Sequence, residues 1–145
     1  MEEFIKKINI LNVSENDLKM MNPLVLAYIG DSIFDLFIKS YMVSKSKANV
    51  NKINKMVVKF VKAPSQALIV KRITEFLSEE EIRIIKRGRN QKTTTPAKNA
   101  SLVDYKLATG FEALIGWLYL KDDISRLNQI IELSIKIIEE SEELI

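Results

Sequence analysis

An all-α fold is what this sequence predicts, and three observations carry that expectation. Apolar residues recur at helical spacing through most of the chain, and capping residues precede several of those stretches. No run of alternating β-branched residues bounded by hairpin turns occurs anywhere. With 145 residues, 47% of them hydrophobic, the chain can bury one core but is short for two ordinary domains, so residues 1–145 are expected to form a single domain.

Taken in order, Ser14 followed by Asp17 reads as a short capped turn, and Asn22-Pro23 places a capping side chain before proline at the first helical position. The helix opened there should run to about Val43. Asn51 is expected to cap a helix to Lys62, Ala63-Pro64 to break it, and a further helix to run from about Ser65 to Phe76. Ser78 with Glu81 three residues on is a capping box, opening a helix that Gly88 should end. Residues 88–100 are polar and without period, the one substantial loop. Helices from about Ser101 to Leu120 and from Asp123 to Leu144 complete the chain, the last with an acidic end expected to face solvent.

Composition narrows the chemistry. Cysteine and histidine are both absent, which excludes disulfides, thiolate nucleophiles, ordinary structural zinc sites and any imidazole acid or base. Asp31, Asp35 and Lys39 interrupt the most hydrophobic stretch, so no segment reads as a membrane span, and Met1-Glu2-Glu3-Phe4 does not read as a signal sequence. A cytoplasmic protein with no membrane partner is expected. The net charge of +3 conceals an asymmetry, because residues 132–145 hold five acids and one base, leaving 21 bases against 14 acids before them. From Leu36 to Thr74 there are nine Lys or Arg and no acid, and from Ile82 to Val103 six more, again with no acid. Such stretches point to a polyanion, although a solvated basic surface has the same composition.

Two acids sit where acids are expensive. Asp31 lies in Leu24–Tyr41, a segment apolar around most of a helix, beside Gly30, which is tolerable inside a helix where another backbone or a ligand comes close. Glu112 repeats the anomaly within Thr109–Leu120. The bland account of each is a carboxylate paired with lysine or capping a neighbouring helix. The sharper one is that both share a cation. Magnesium suits it, with manganese as a substitute, because magnesium needs only one or two protein carboxylates and can activate water for attack.

At this point the residues resemble a family. Tyr28-Ile29-Gly30-Asp31 looks like the signature helix of the ribonuclease III family, and Phe111-Glu112-Ala113-Leu114-Ile115-Gly116 like its second acidic motif, in the family's order. Between them, Lys86-Arg87-Gly88-Arg89-Asn90 followed by Thr95-Pro96 and Lys98-Asn99 is similar to the basic loop of the Mini-ribonuclease III branch. The resemblance implies a ribonuclease III-like helical endonuclease domain, homodimeric, with paired sites that each hydrolyse one strand of double-stranded RNA to leave 5′-phosphate and 3′-hydroxyl ends. It implies catalytic and metal-holding roles for Asp31 and Glu112, and a task in maturing the large-subunit (23S) ribosomal RNA precursor. The chain departs from the larger enzymes at Ala27 and Thr109, where they carry acids, and from many of the mini branch at Ser101, where an aspartate is common. Asp35 and Thr109 share helix faces with Asp31 and Glu112 and are outer candidates; Asp104, about two turns before Glu112, is a more distant one.

Duplex RNA is recognised mainly by shape, phosphates and 2′-hydroxyls. Arg87, Arg89, Lys92 and Lys98, interleaved with hydroxyl and amide residues, suit phosphate contacts, the alternative being a plain connector. Lys52, Lys55, Lys59 and Lys62 fall within about 80° of one another on a helix and form either a phosphate-binding ridge or an ordinary solvated face, opposite Ile53, Val57, Phe60 and Val61. Two other functions fit parts of the pattern: a double-stranded-RNA-binding scaffold with a degenerate acidic site, given Ala27, Ser101 and Thr109, and a helical interaction module without RNA contact, which leaves the basic stretches unexplained.

Overall fold

The computed structural model describes residues 12–92 and 101–143. Seven α-helices follow one another in this part of the chain: α1 (Glu15–Met20), α2 (Pro23–Lys45), α3 (Val50–Val61), α4 (Ala63–Ile73), α5 (Glu79–Arg89), α6 (Leu102–Leu120) and α7 (Ile124–Glu143), with a 3-10 turn at Thr74–Phe76 after α4. No strand occurs among the described residues. The all-α expectation holds.

Side-chain capping sets most of the starts. Ser14 and Ser78 form complete capping boxes with Asp17 and Glu81. The Asn22 side chain accepts from the Leu24 amide ahead of Pro23, and that of Ser101 accepts from the Asp104 amide. Two expectations need correction here. Asn49 rather than Asn51 caps α3, its side chain accepting from the Lys52 amide, and Asn51 lies one residue inside the helix. Ala63-Pro64 does not separate two helices by a gap: Lys62 alone, in extended conformation, ends α3 and starts α4, which tolerates proline in its first turn because amides there lack helical acceptors.

The centre of the fold is α6. It packs against α2, α4, α5 and α7, and Phe111, Ala113, Leu114 and Ile115 on it are fully buried. Leu26, Gly30, Phe34 and Ile38 are buried on α2 at four-residue intervals, the stripe this helix turns inward. Glycine decides how close the helices come. A Cβ on Gly30 would run into the Glu112 carbonyl and lie 2.8 Å from the Gly116 amide, and one on Gly116 would strike the Leu26 carbonyl. Gly88 does not end α5 as expected. It is buried inside that helix, where a Cβ would lie 2.9 Å from the Gly110 Cα, and α5 continues to Arg89.

Glu81 does two jobs at once. Buried at 5% exposure, its carboxylate accepts from the Ser78 amide at 2.8 Å and from Arg126 of α7 in a bidentate pair, Nε to Oε2 and Nη2 to Oε1, both 2.8 Å. Arg126 Nη2 also donates to the Phe76 carbonyl at 2.8 Å, so one guanidinium joins α7, α5 and the 3-10 turn. The Arg126 hydrogen bonds hold the Glu81 carboxyl below the usual glutamate value against the opposing effect of burial. A depressed acid stabilises the fold above its unfolded pKa and loses that contribution as pH falls through the folded one. Arg126→Ala is expected to cost about 2 kcal/mol at neutral pH, the scale of a hydrogen bond to a charged group. The difference from wild type should shrink as pH falls below the ordinary glutamate range, and denaturant melts at neutral and acid pH measure it.

The acidic end of α7 is not simply solvated. Glu139 accepts from the Tyr41 hydroxyl at 2.7 Å and pairs with Lys45 at 3.3 Å, and Glu142 stands 3.9 Å from Lys59. These acids face the basic helices they accompany.

Candidate active site

Close contact of α2 with α6 puts two acids together. Because α2 touches the α6 backbone at Gly30, the next residue, Asp31, emerges at the edge of the crossing beside Glu112, and the two carboxyls come within hydrogen-bonding reach. Asp31 is exposed and Glu112 half-buried, so Asp31 stands at the rim of a helix whose inward stripe is core. The Glu112 carboxyl is pushed up to about 9, first by burial and then by the adjacent Asp31 carboxylate, which accepts a hydrogen bond from the protonated form. Among the described residues no cation side chain pairs with Glu112. A half-buried acid facing a second acid from an open edge is an arrangement that a cation would relieve.

The fit to a divalent ion follows from the donors. Among the described residues no cluster of three or more acids gathers, so the site offers two carboxylates, which is the number magnesium commonly takes from protein while water and phosphate oxygens fill its other positions. Two of the outer candidates are engaged elsewhere. Asp35 pairs with Lys39 one turn along α2 at 2.8 Å, and the Thr109 hydroxyl donates to the Tyr105 carbonyl at 3.0 Å. Asp104 sits in the first turn of α6, two turns from Glu112, and is not brought to the pair.

Of the basic candidates, Arg87 and Arg89 adjoin Gly88, where α5 packs against Gly110 and Ala113 of α6, the helix that carries Glu112. Arg87 is exposed but tied, its Nη2 donating to the Met21 carbonyl at 3.2 Å. Lys92 is exposed, while Lys98 lies outside the described residues, as do Thr95 and Pro96. Lys52, Lys55 and Lys59 on α3 and Lys62 just past its end are all exposed, opposite buried Val57 and Phe60, which agrees with the expected ridge. That helix has α2, α4 and α7 as its main neighbours, which sets the ridge on a different flank from the α5 end.

Residues 24–123, spanning both acids and the α5–α6 contact, match the family model described as the ribonuclease III domain. The chain belongs to the ribonuclease III family. A relative from Clostridium tetani named Mini-ribonuclease 3 is 52% identical over 129 residues, 88% of this chain and 85% of that one. A relative of the same name from Enterococcus faecalis is 41% identical over 88% of this chain and 98% of its own. A solved structure of a Fusobacterium nucleatum protein superposes with a TM-score of 0.75 at 37% identity, covering 83% of this chain and 96% of that one. Membership of the ribonuclease III family carries the coarse activity with it, hydrolytic cleavage of RNA. What reading the sequence missed were two contacts of α6, Gly116 against α2 beside Gly30 and Gly110 against Ile85 and Gly88 of α5: neither had a capping role to explain it, and glycine inside a buried helix without such a role is the signal of close backbone approach.

Proposed function

We propose that this chain is a magnesium-dependent endoribonuclease that cuts double-stranded RNA, acting as a homodimer of single catalytic domains on the precursor of large-subunit ribosomal RNA in the cytoplasm. The observation that carries the catalytic part is the Asp31–Glu112 pair, two facing carboxyls with no cation side chain among the described residues to balance Glu112. Asp31 and Glu112 would hold Mg²⁺, or Mn²⁺ in its place. Bound there, the ion supplies activation of water and neutralisation of phosphate charge. The protein's own part is to hold the scissile phosphate against the acids, with Arg87, Arg89 and Lys92 from the end of α5, together with Lys98, gripping the flanking backbone. The choice of ribosomal precursor rests on likeness to the proteins named Mini-ribonuclease 3. Pairing of two copies is supported by Leu24, Val25, Tyr28 and Leu36, which stand exposed along α2 around Asp31.

The test is incubation of the purified dimer with an end-labelled RNA duplex, with Mg²⁺ or with a chelator. Cleavage to 5′-phosphate products only with the metal is expected. Binding without cleavage at any Mg²⁺ concentration would make the protein a duplex-RNA scaffold instead. Replacing Arg87, Arg89 and Lys92 together with alanine should weaken RNA binding and flatten its salt dependence, each lost phosphate contact lowering the log–log slope by somewhat under one, on the duplex-DNA coefficient of about 0.9. Filter binding across a salt series decides it. An unchanged slope would pass the role to Lys52, Lys55, Lys59 and Lys62.

A further inference from the structure

Phe34 and Phe111 adjoin the acids in sequence and meet in the core between the same two helices. Phe34 is four residues after Gly30 on the inward stripe of α2, and Phe111 immediately precedes Glu112 on α6. Their rings meet edge to face, centroids 4.9 Å apart and planes at 86°, and both side chains are buried, at 1% and 0% exposure. One turn away the same two helices touch through glycine, where even a Cβ on Gly30 would not fit. The α2–α6 crossing is therefore fixed by two unequal spacers: no side chain at Gly30, and two aromatic rings at Phe34–Phe111. Asp31 lies between them in sequence on one helix, and Glu112 beside the ring on the other. Close-packed interiors transmit such spacing, because ring edges have little room to yield.

We infer that the Phe34–Phe111 contact is a positioning device that sets the separation of the Asp31 and Glu112 carboxyls and so tunes how tightly the pair holds a divalent cation. This rests on the metal-binding role proposed for the two acids. Neither phenylalanine touches substrate; both act through the spacing of the helices that carry the acids.

The experiment is calorimetric titration of Mg²⁺ into the metal-free full-length protein, with no RNA present. Phe111→Leu and Phe34→Leu keep the core apolar while removing the ring contact. Each is expected to weaken Mg²⁺ binding about tenfold, the lower end of what loss of a supporting group around a metal site costs. The double variant should be little worse than either single one, because one contact is lost in all three. Ile138→Val, in the core of α7, is the control: it should lower the melting temperature and leave Mg²⁺ affinity unchanged. Lower melting temperatures with wild-type Mg²⁺ affinity in both leucine variants would show the rings to be filling alone and overturn the inference, as would additive losses in the double variant. If wild type itself takes up no Mg²⁺, the role proposed for the acids fails first and the positioning role with it.

Discussion

Asp31→Asn and Glu112→Gln should each lower single-turnover cleavage of duplex RNA on the order of a thousandfold, the scale seen when one group that stabilises transition-state charge is removed. The fold should survive. Each substitution keeps side-chain size, and an amide in place of either carboxyl can still hydrogen-bond its neighbour. The direction of the effect on stability can be worked out for Glu112. Its folded pKa is raised to about 9 from the ordinary 4.5, so its contribution is fully present below the unfolded value and is lost as pH rises toward 9. In chelator, wild type should therefore lose stability across that window while Glu112→Gln does so less. Magnesium should reverse the trend, since binding displaces the proton, and its affinity should climb with pH over the same range. Thermal melts with and without Mg²⁺ at several pH values would show it. Wild-type turnover in either variant would remove that residue from the mechanism.

The second large effect is on stability. Gly30→Ala adds one methyl group, but it must occupy the place of the Glu112 carbonyl, and backbone cannot turn aside as a side chain can. The helices would have to separate. We expect a loss of about 3 kcal/mol or more, at or beyond the upper end of overpacking costs, and a melting temperature lower by roughly 10 °C. Gly116→Ala, striking the Leu26 carbonyl from the other side, should behave alike. Activity should fall further than stability alone explains, because the same shift parts Asp31 from Glu112. A Gly30→Ala protein with wild-type melting behaviour would show that the crossing is looser than its geometry states.

How much of this was legible beforehand depended on whether the cause was local. Ser14, Asn22 and Ser78 announce their helices because a cap bonds amides two or three residues away. Asn49 lost to Asn51 in the sequence reading because either spacing accommodates a capped helix, and only the buried face of α3 decides the register. Gly88 read as a helix end because a glycine after a basic turn usually is one, and nothing near it in sequence reveals Gly110 waiting across α6. The acids were visible as carboxylates in apolar company. Which of the two would be buried was not, since Asp31 and Glu112 differ only in where each helix turns its edge. Arg126 went unremarked for the same reason: its partner Glu81 lies 45 positions away.

Asp31 and Glu112 belong to opposite halves of the chain, with α3, α4 and α5 between them. A chain emerging from the ribosome presents the first acid well before the second exists, and closing so long a loop carries an entropic cost that is recovered only when α6 is whole and packed. Until then there is no site. A half-made copy cannot cut RNA.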